Sequence, residues 1–204
     1  MSTLLIIHIL SGLIALCSSA LAISTEKGKK IHVLSGKAYF WAMVSIFLTG
    51  IPMSIIASNV FLFLIAIFSF YFAFSGLRFA RNRKGVPTLV DLIAVNFMLL
   101  SGISMWILAI IFFMNSNSQF IPLILFGFIA LTLGYSDFQA FREESVKGKE
   151  RIAKHLTNMM AGTIAVITAV LVVNPPTDPV WVWWILPTVL ITPLIFWWNS
   201  KVLN

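Results

Sequence analysis

Charge is the scarcest property of this sequence, because only 10% of its 204 residues are Asp, Glu, Lys or Arg, against roughly a quarter in a soluble domain. Only seven residues are acidic. Hydrophobic residues make up 59% of the chain and form long uncharged stretches. This composition excludes an ordinary soluble domain and indicates an integral membrane protein.

Cysteine is nearly absent. Cys17 is the only one, so no disulfide can form within the chain, and we expect Cys17 to be a small buried residue. The sequence also contains no Gly-rich phosphate loop, no His-Glu-x-x-His pair and no Gly-x-Ser-x-Gly turn. Any chemistry must therefore come from side chains on the membrane helices and at their ends.

Three long stretches, 38–77, 92–136 and 156–200, contain no charged residue except Asp178, and each is broken near the middle by a polar or proline-containing turn. Each is long enough for two helices of about 20 residues, and the first apolar segment is expected to remain as an uncleaved helix. In lipid every backbone amide must be paired within its own segment. The sequence therefore predicts an all-α fold, a single transmembrane domain over 1–204 with seven helices at about 3–23, 30–53, 59–79, 88–114, 119–141, 151–173 and 180–199.

The 14 Lys and Arg residues all fall on one side of this layout, in 27–37, 78–84, 142–154 and at Lys201. The positive-inside rule makes these the cytoplasmic loops, with the N-terminus outside and the C-terminus in the cytoplasm. The net charge of +7 is thereby explained without nucleic acid. The expected partner is the lipid bilayer, and the oligomeric state stays open.

Ionisable side chains at membrane depth are costly, so each is a candidate for a site. Four of the acids, Glu26, Glu143, Glu144 and Glu150, lie in basic loops and Asp178 lies in an outer turn, which leaves Asp91 and Asp137 within spans. His32 and His155 lie about one turn into their own spans. All four are expected at one depth near the cytoplasmic face.

Two histidines and two carboxylates on four helices could bind zinc, iron or manganese, and His32 and His155 alone could ligate a haem iron from opposite faces. Tyr39 and Asn158 follow these histidines at helical spacing and would support the site, and Tyr135 is near Asp137. The predicted metal ligands are His32, Asp91, Asp137 and His155.

Each of these residues also has a structural interpretation. Asp91 fits a capping box with Thr88, and Asp137 could pair with Arg142 or Arg78 at the membrane edge. His32 could bind lipid phosphate or a backbone carbonyl, and His155 could likewise be interfacial. His8 lies near the outer face, roughly 20 Å from His32 by helix rise, so it is not expected to join them. It is either part of a path opening outside or a structural histidine.

Two short patterns resemble a family of predicted bacterial inner-membrane proteins of unknown function. One is His8-x3-Gly12 followed by His32-x3-Gly36-Lys37-x-Tyr39, and the other is His155-x3-Met159. The resemblance covers both ends of the chain and implies a multi-pass protein of the bacterial cytoplasmic (inner) membrane. It places His8, His32 and His155 on motif positions but implies no activity.

Four functions stay open on this sequence. The leading hypothesis is a membrane protein whose polar site binds a metal ion or haem for redox chemistry or metal handling. The alternatives are a small-solute or proton-coupled transporter using His8 and the inner cluster, a metal-dependent intramembrane hydrolase, and a structural membrane partner without chemistry. The sequence does not decide whether the protein is an enzyme, nor which cofactor or small ligand it takes.

Overall fold

The computed structural model describes residues 2–143 and 146–204, and consists of long helices joined by short turns. In these residues the helices are α1 Ser2–Ser24, α2 Lys30–Ile56, α3 Val60–Arg81, α4 Leu89–Met114, α5 Phe120–Glu143, α6 Gly148–Val173 and α7 Trp181–Leu203. All seven are long and apolar enough to cross a membrane, which confirms the all-α prediction. Their bounds follow the predicted spans, with the largest difference at the end of α7. Glu144, predicted to lie in a basic loop, is outside the described residues.

The turns carry the residue types that stop and restart helices. Gly28 and Gly85 adopt φ values of +79° and +77°, a region that costs glycine little because it has no Cβ. Asn59 begins α3, where its side-chain oxygen accepts a hydrogen bond from the backbone N–H of Leu62 at 3.0 Å. This is the usual role of asparagine at a helix N-cap.

Polar contacts between successive helices show which ends lie together. The start of α2 contacts the end of α1, the end of α3 contacts the start of α4, and the end of α5 contacts the start of α6. Lys149 near the start of α6 donates to the last carbonyls of the chain. One end of the bundle therefore contains the last residues of α1, α3, α5 and α7 and the first residues of α2, α4 and α6. We call it the basic end, because the lysines and arginines lie there.

Buried side chains of the described residues form three clusters, and two of these include residues of α3. An aromatic core joins α3, α4, α5 and the start of α7, where Phe68 lies 5.4 Å from Phe126 and Phe61 lies 4.7 Å from Trp184, measured between ring centroids. A core of smaller side chains joins α1, α2, α3 and α6, and its buried members are Ala15, Tyr39, Ala42, Met43, Ala73 and Val166. Small residues let helix backbones approach closely in a membrane. Among the buried residues that the structure describes, α3 alone contributes members to both of these cores.

Cys17 corrects one expectation. Its side chain is exposed on α1, whereas the sequence predicted a buried residue. The reason is the solvent: at membrane depth the outward face of a helix meets lipid, which is as apolar as a protein interior. A small apolar side chain therefore gains nothing there by turning inward.

Candidate functional site

Four helices surround the candidate site. α1 packs on α2, α2 on α3, α3 on α6, and α6 also contacts α1. In this closed group α2 and α6 lie diagonally opposite, as do α1 and α3. Sites in helix bundles are commonly built from side chains of facing helices that project inward.

His32 of α2 and His155 of α6 meet at the basic end of this group. Their ring centroids are 6.4 Å apart and their planes are nearly perpendicular, at 86°. Two imidazoles that coordinate one metal ion from opposite sides, with metal–nitrogen bonds of about 2.0 Å, hold their centroids roughly 6 Å apart. The spacing of the two rings therefore suits one atom bound between them.

Each ring is oriented by a backbone carbonyl of a neighbouring helix. His32 Nδ1 lies 3.0 Å from the Ala22 carbonyl oxygen of α1, and His155 Nδ1 lies 2.8 Å from that of Gly76 in α3. A carbonyl oxygen only accepts, so in both rings Nδ1 carries the hydrogen and, in the neutral ring, Nε2 carries the lone pair. Within the described parts of the chain neither ring makes a second hydrogen bond.

Cations also bind the C-terminal carbonyls of α1 and α3, the two helices whose carbonyls accept from the histidines. Lys27 Nζ donates to the Ala22 carbonyl at 3.1 Å and to that of Ile23, while Arg151 Nη1 donates to the carbonyls of Phe79 and Ala80 near the end of α3. Helix C-termini carry partial negative charge, which cations stabilise. Partial burial lowers the pKa of the Lys27 ammonium. Each histidine thus contacts a helix whose C-terminal carbonyls also bind a cation.

Asp137 does not join the histidine pair. Its carboxylate is 1% exposed and accepts hydrogen bonds from Tyr71 Oη at 2.8 Å, Ser75 Oγ at 3.1 Å and Lys154 Nζ at 2.8 Å. The predicted partners Arg142 and Arg78 were wrong. Lys154 is the partner because it extends from α6 towards α5, while Arg78 is engaged elsewhere.

Asp91 forms the second buried ion pair. Its carboxylate binds the Arg78 guanidinium through both oxygens, with Nη2 at 2.7 Å from Oδ2. The N–H of Thr88 donates to the same carboxylate at 2.8 Å, which confirms the capping box. Within residues 2–143 and 146–204, no three His, Cys, Asp or Glu side chains lie close enough to share one metal ion. The predicted four-ligand set is therefore not brought together, because a cation binds each carboxylate.

The supporting polar residues behave differently from one another. Tyr39 and Asn158 are each 2% exposed, and in the described structure Tyr39 Oη and Asn158 Oδ1 have no hydrogen-bond partner. Tyr39 packs against Gly162, two turns beyond His155. Tyr135 is 56% exposed and contacts Gln139. Helical positions two residues apart point in different directions, so Tyr135 faces outward although it is near Asp137 in the sequence.

His8 lies in a separate polar contact between α1 and α2. Its Nδ1 is 2.8 Å from Thr49 Oγ1, and Ser11 Oγ donates to Ser45 Oγ at 2.7 Å one turn further along. Between this contact and the histidine pair lies the core of small side chains, whose Ala15 and Met43 are at most 1% exposed. His8 and His32 are thus separate, as the helix rise predicted.

Two concave surfaces lie away from the histidine pair and from His8. A groove of about 540 Å³ is formed by α5 and α7, with Leu125, Val189 and Phe196 among its lining residues. A smaller depression of about 280 Å³ lies between the α2–α3 turn and α4. The lining of neither contains a titratable side chain. The histidine pair is the better candidate because it brings two imidazole rings within 6.4 Å of each other, each with Nδ1 bonded to a carbonyl.

Sequence reasoning missed the groups that hold the candidate residues in place. Every residue has a backbone carbonyl, so the sequence does not indicate that those of Ala22 and Gly76 bind the histidines. Tyr71 and Ser75 lie one turn apart on α3 and face Asp137, a spacing that could have indicated a common polar face. No family model, curated protein or solved structure matches the chain.

Proposed function

We propose that this chain is a multi-pass protein of the bacterial cytoplasmic membrane that holds one haem between His32 and His155 and serves in electron transfer. The single observation that carries the proposal is the paired rings, 6.4 Å apart and perpendicular, with Nδ1 of each bound to a carbonyl. That arrangement leaves the Nε2 lone pairs for a metal. Haem, when bound, supplies one-electron iron chemistry.

The number of protein ligands favours haem over a bare ion. A zinc ion takes four ligands, of which a catalytic site supplies at least three from the protein, and the pair supplies two. A haem iron already holds four porphyrin nitrogens and needs only the two axial positions filled. The metal-dependent hydrolase needs a metal-activated water and is less well supported for the same reason.

One side of the histidine pair has open space beside it. Gly36, one turn beyond His32, has no atom within 4 Å of the position where a Cβ would stand, apart from its own helix. The surface of α2 beside His32 is therefore open. The carbonyl bonds at Ala22 and Gly76 fix the orientation of both imidazoles and raise their basicity as ligands, which is the usual role of such partners at metal sites.

The orientation across the membrane belongs to the same proposal. The lysines and arginines lie at the basic end, so the positive-inside rule assigns this end to the cytoplasm and the N-terminus to the outside. The pair would then lie near the cytoplasmic surface. Transport through the bundle is less well supported, because the core of small side chains packs the space between His8 and His32.

Absorption spectroscopy of the purified protein tests the proposal. We expect about one haem per chain, a Soret band that shifts on reduction with dithionite, and a low-spin ferric signal because both axial ligands are nitrogen. His32→Ala and His155→Ala should each lose the low-spin signal. His8→Ala is the matched control and should keep it, since His8 bonds to Thr49 instead.

The proposal fails if wild-type protein shows no Soret band after expression with added haem precursor and after reconstitution with hemin. It also fails if the His8 variant loses haem as completely as the other two. Size-exclusion chromatography of each variant separates loss of ligand from loss of fold.

A further inference from the structure

The basic end exposes many cations and few anions. Its exposed lysines and arginines include Lys27, Lys29, Lys30, Lys37, Arg81, Arg83, Lys84, Arg142, Lys147, Lys149 and Lys201. Of the acids there, Asp91 is paired with Arg78 and Asp137 with Lys154. Glu26 lies 3.6 Å from Lys29, and Glu143 and Glu150 are the other exposed acids that the structure describes at this end. The remaining charge at this end is therefore strongly positive.

The histidine pair lies close to this surface. His32 is the third residue of α2 and is only partly buried, so it lies within one helical turn, about 5.4 Å, of the helix start. Lys27 is tied to it through a shared acceptor, because Lys27 Nζ and His32 Nδ1 both bind the Ala22 carbonyl. The loop of residues 25–29 therefore places positive charge directly beside His32.

We propose that a small acidic electron-carrier protein docks on this loop and the start of α2, over Lys27, Lys29 and Lys30, and delivers one electron to the centre held by His32 and His155. The proposal rests on the haem function proposed above. The reduced carrier loses one electron and the ferric iron gains it; no bond is made or broken and no proton moves.

Charge complementarity favours this partner. A positive patch steers a negatively charged protein towards it and raises the association rate, an effect that weakens as salt screens the charges. At 0.1 M ionic strength screening acts over about 10 Å, so only cations near the contact matter. Lys29 and Lys30 should therefore count far more than Arg83 and Lys84, which lie in the turn between α3 and α4.

A binding experiment tests the docking surface. The probe is an acidic plant-type [2Fe–2S] ferredoxin, and the protein is held in nanodiscs of zwitterionic phosphatidylcholine, so that anionic headgroups cannot supply or mask the charge. We expect the dissociation constant to rise steeply with salt, and the double variant Lys29→Glu with Lys30→Glu to weaken binding about tenfold or more. The matched double variant Arg83→Glu with Lys84→Glu should change it less than about threefold.

Stopped-flow reduction of the haem provides the second readout. The rate with reduced ferredoxin should fall in parallel with binding, whereas the rate with dithionite, a small anionic reductant that needs no docking surface, should change far less in either variant. Binding that ignores salt overturns the docking proposal, as do equal effects of the two double variants. If the protein binds haem but fails these tests, the docking proposal is wrong and the haem function is unaffected. If the protein binds no haem, both the haem function and the electron transfer from the carrier are wrong.

Discussion

The three histidines share one tautomer although they occupy opposite ends of the bundle. Thr49 Oγ1 donates its single hydrogen to the Ser45 carbonyl at 2.7 Å, so it can only accept from His8, whose Nδ1 must carry the hydrogen. His32 and His155 donate from Nδ1 to carbonyls. In both His-x3-Gly segments, therefore, a hydrogen bond holds Nδ1 of the histidine, and the glycine one turn later has open space beside it.

Asp137 is the residue whose loss should cost most stability. Replacing it by Ala leaves the Lys154 ammonium and the hydroxyls of Tyr71 and Ser75 without their acceptor, and removing one member of a buried ion pair destabilises by about 3 kcal/mol. We expect Asp137→Ala to lower the free energy of unfolding by roughly that amount. Unfolding in mixed micelles with increasing SDS measures it.

Asp178→Ala is the control for this experiment, since Asp178 is exposed in the turn before α7. We expect this variant to leave the free energy of unfolding unchanged. Because Asp137 does not contact the histidine pair, Asp137→Ala should keep haem as long as it is folded. An Asp137→Ala protein as stable as the wild type would contradict the ion-pair assignment.

The residue scale is also where sequence reasoning was least complete. His32 and His155 were expected at one depth and do meet, and the capping-box role of Asp91 is confirmed. The predicted partners of Asp137, Arg142 and Arg78, were wrong, because Lys154 pairs with it. Depth follows from counting residues along a helix, whereas the choice among several nearby cations depends on the direction in which each side chain leaves its helix.

Among the helices, α3 organises the structure. It contacts α2, α4 and α6, belongs to both cores, and supplies Tyr71 and Ser75 to Asp137, Arg78 to Asp91 and the Gly76 carbonyl to His155. A change that moves α3 relative to α6 should therefore disturb the histidine pair as well as the packing.

Gly76→Ala tests this role. A Cβ at position 76 would lie 3.0 Å from Met159 Cγ and 3.2 Å from the Met159 backbone nitrogen, so α3 and α6 would have to separate. Overpacking of this kind costs about 1–3 kcal/mol. We expect lower stability in SDS unfolding and a weakened haem signal, because the acceptor of His155 moves.

Gly12→Ala is the matched control on α1. Nothing lies within 4 Å of a Cβ there, and alanine is a better helix former than glycine by about 1 kcal/mol. Its stability should be unchanged or slightly higher. If the two variants behave alike, close packing of α3 on α6 at Gly76 is not what limits stability.

At the scale of the whole molecule, the charge asymmetry leads to the proposed orientation. Lysines and arginines lie at one end of the helices, and the turns at the other end, near Ser58, Ser116 and Asp178, contain none. Such asymmetry directs cationic loops to the cytoplasmic side during insertion. The histidine pair and the docking surface would then face the cytoplasm.

Single-cysteine labelling checks the orientation. Cys17 is replaced by Ala first, and a cysteine is then introduced at Ser116 or at Lys84. We expect a membrane-impermeant maleimide to label Ser116→Cys in intact spheroplasts and to label Lys84→Cys only after permeabilisation. The reverse pattern would move the histidine pair to the outer face.

The sequence by itself determined that the chain forms seven helices long and apolar enough to cross a membrane, their bounds to within a few residues, and which end is basic. These properties depend on composition and residue count, since a helix in lipid satisfies its own backbone whatever its neighbours are. Only the tertiary structure decided that His32 faces His155 between carbonyls of α1 and α3, and that cations bind Asp91 and Asp137. Those contacts depend on which faces of the helices pack together, and in a nearly uniform apolar sequence the order of residues does not specify the facing partner.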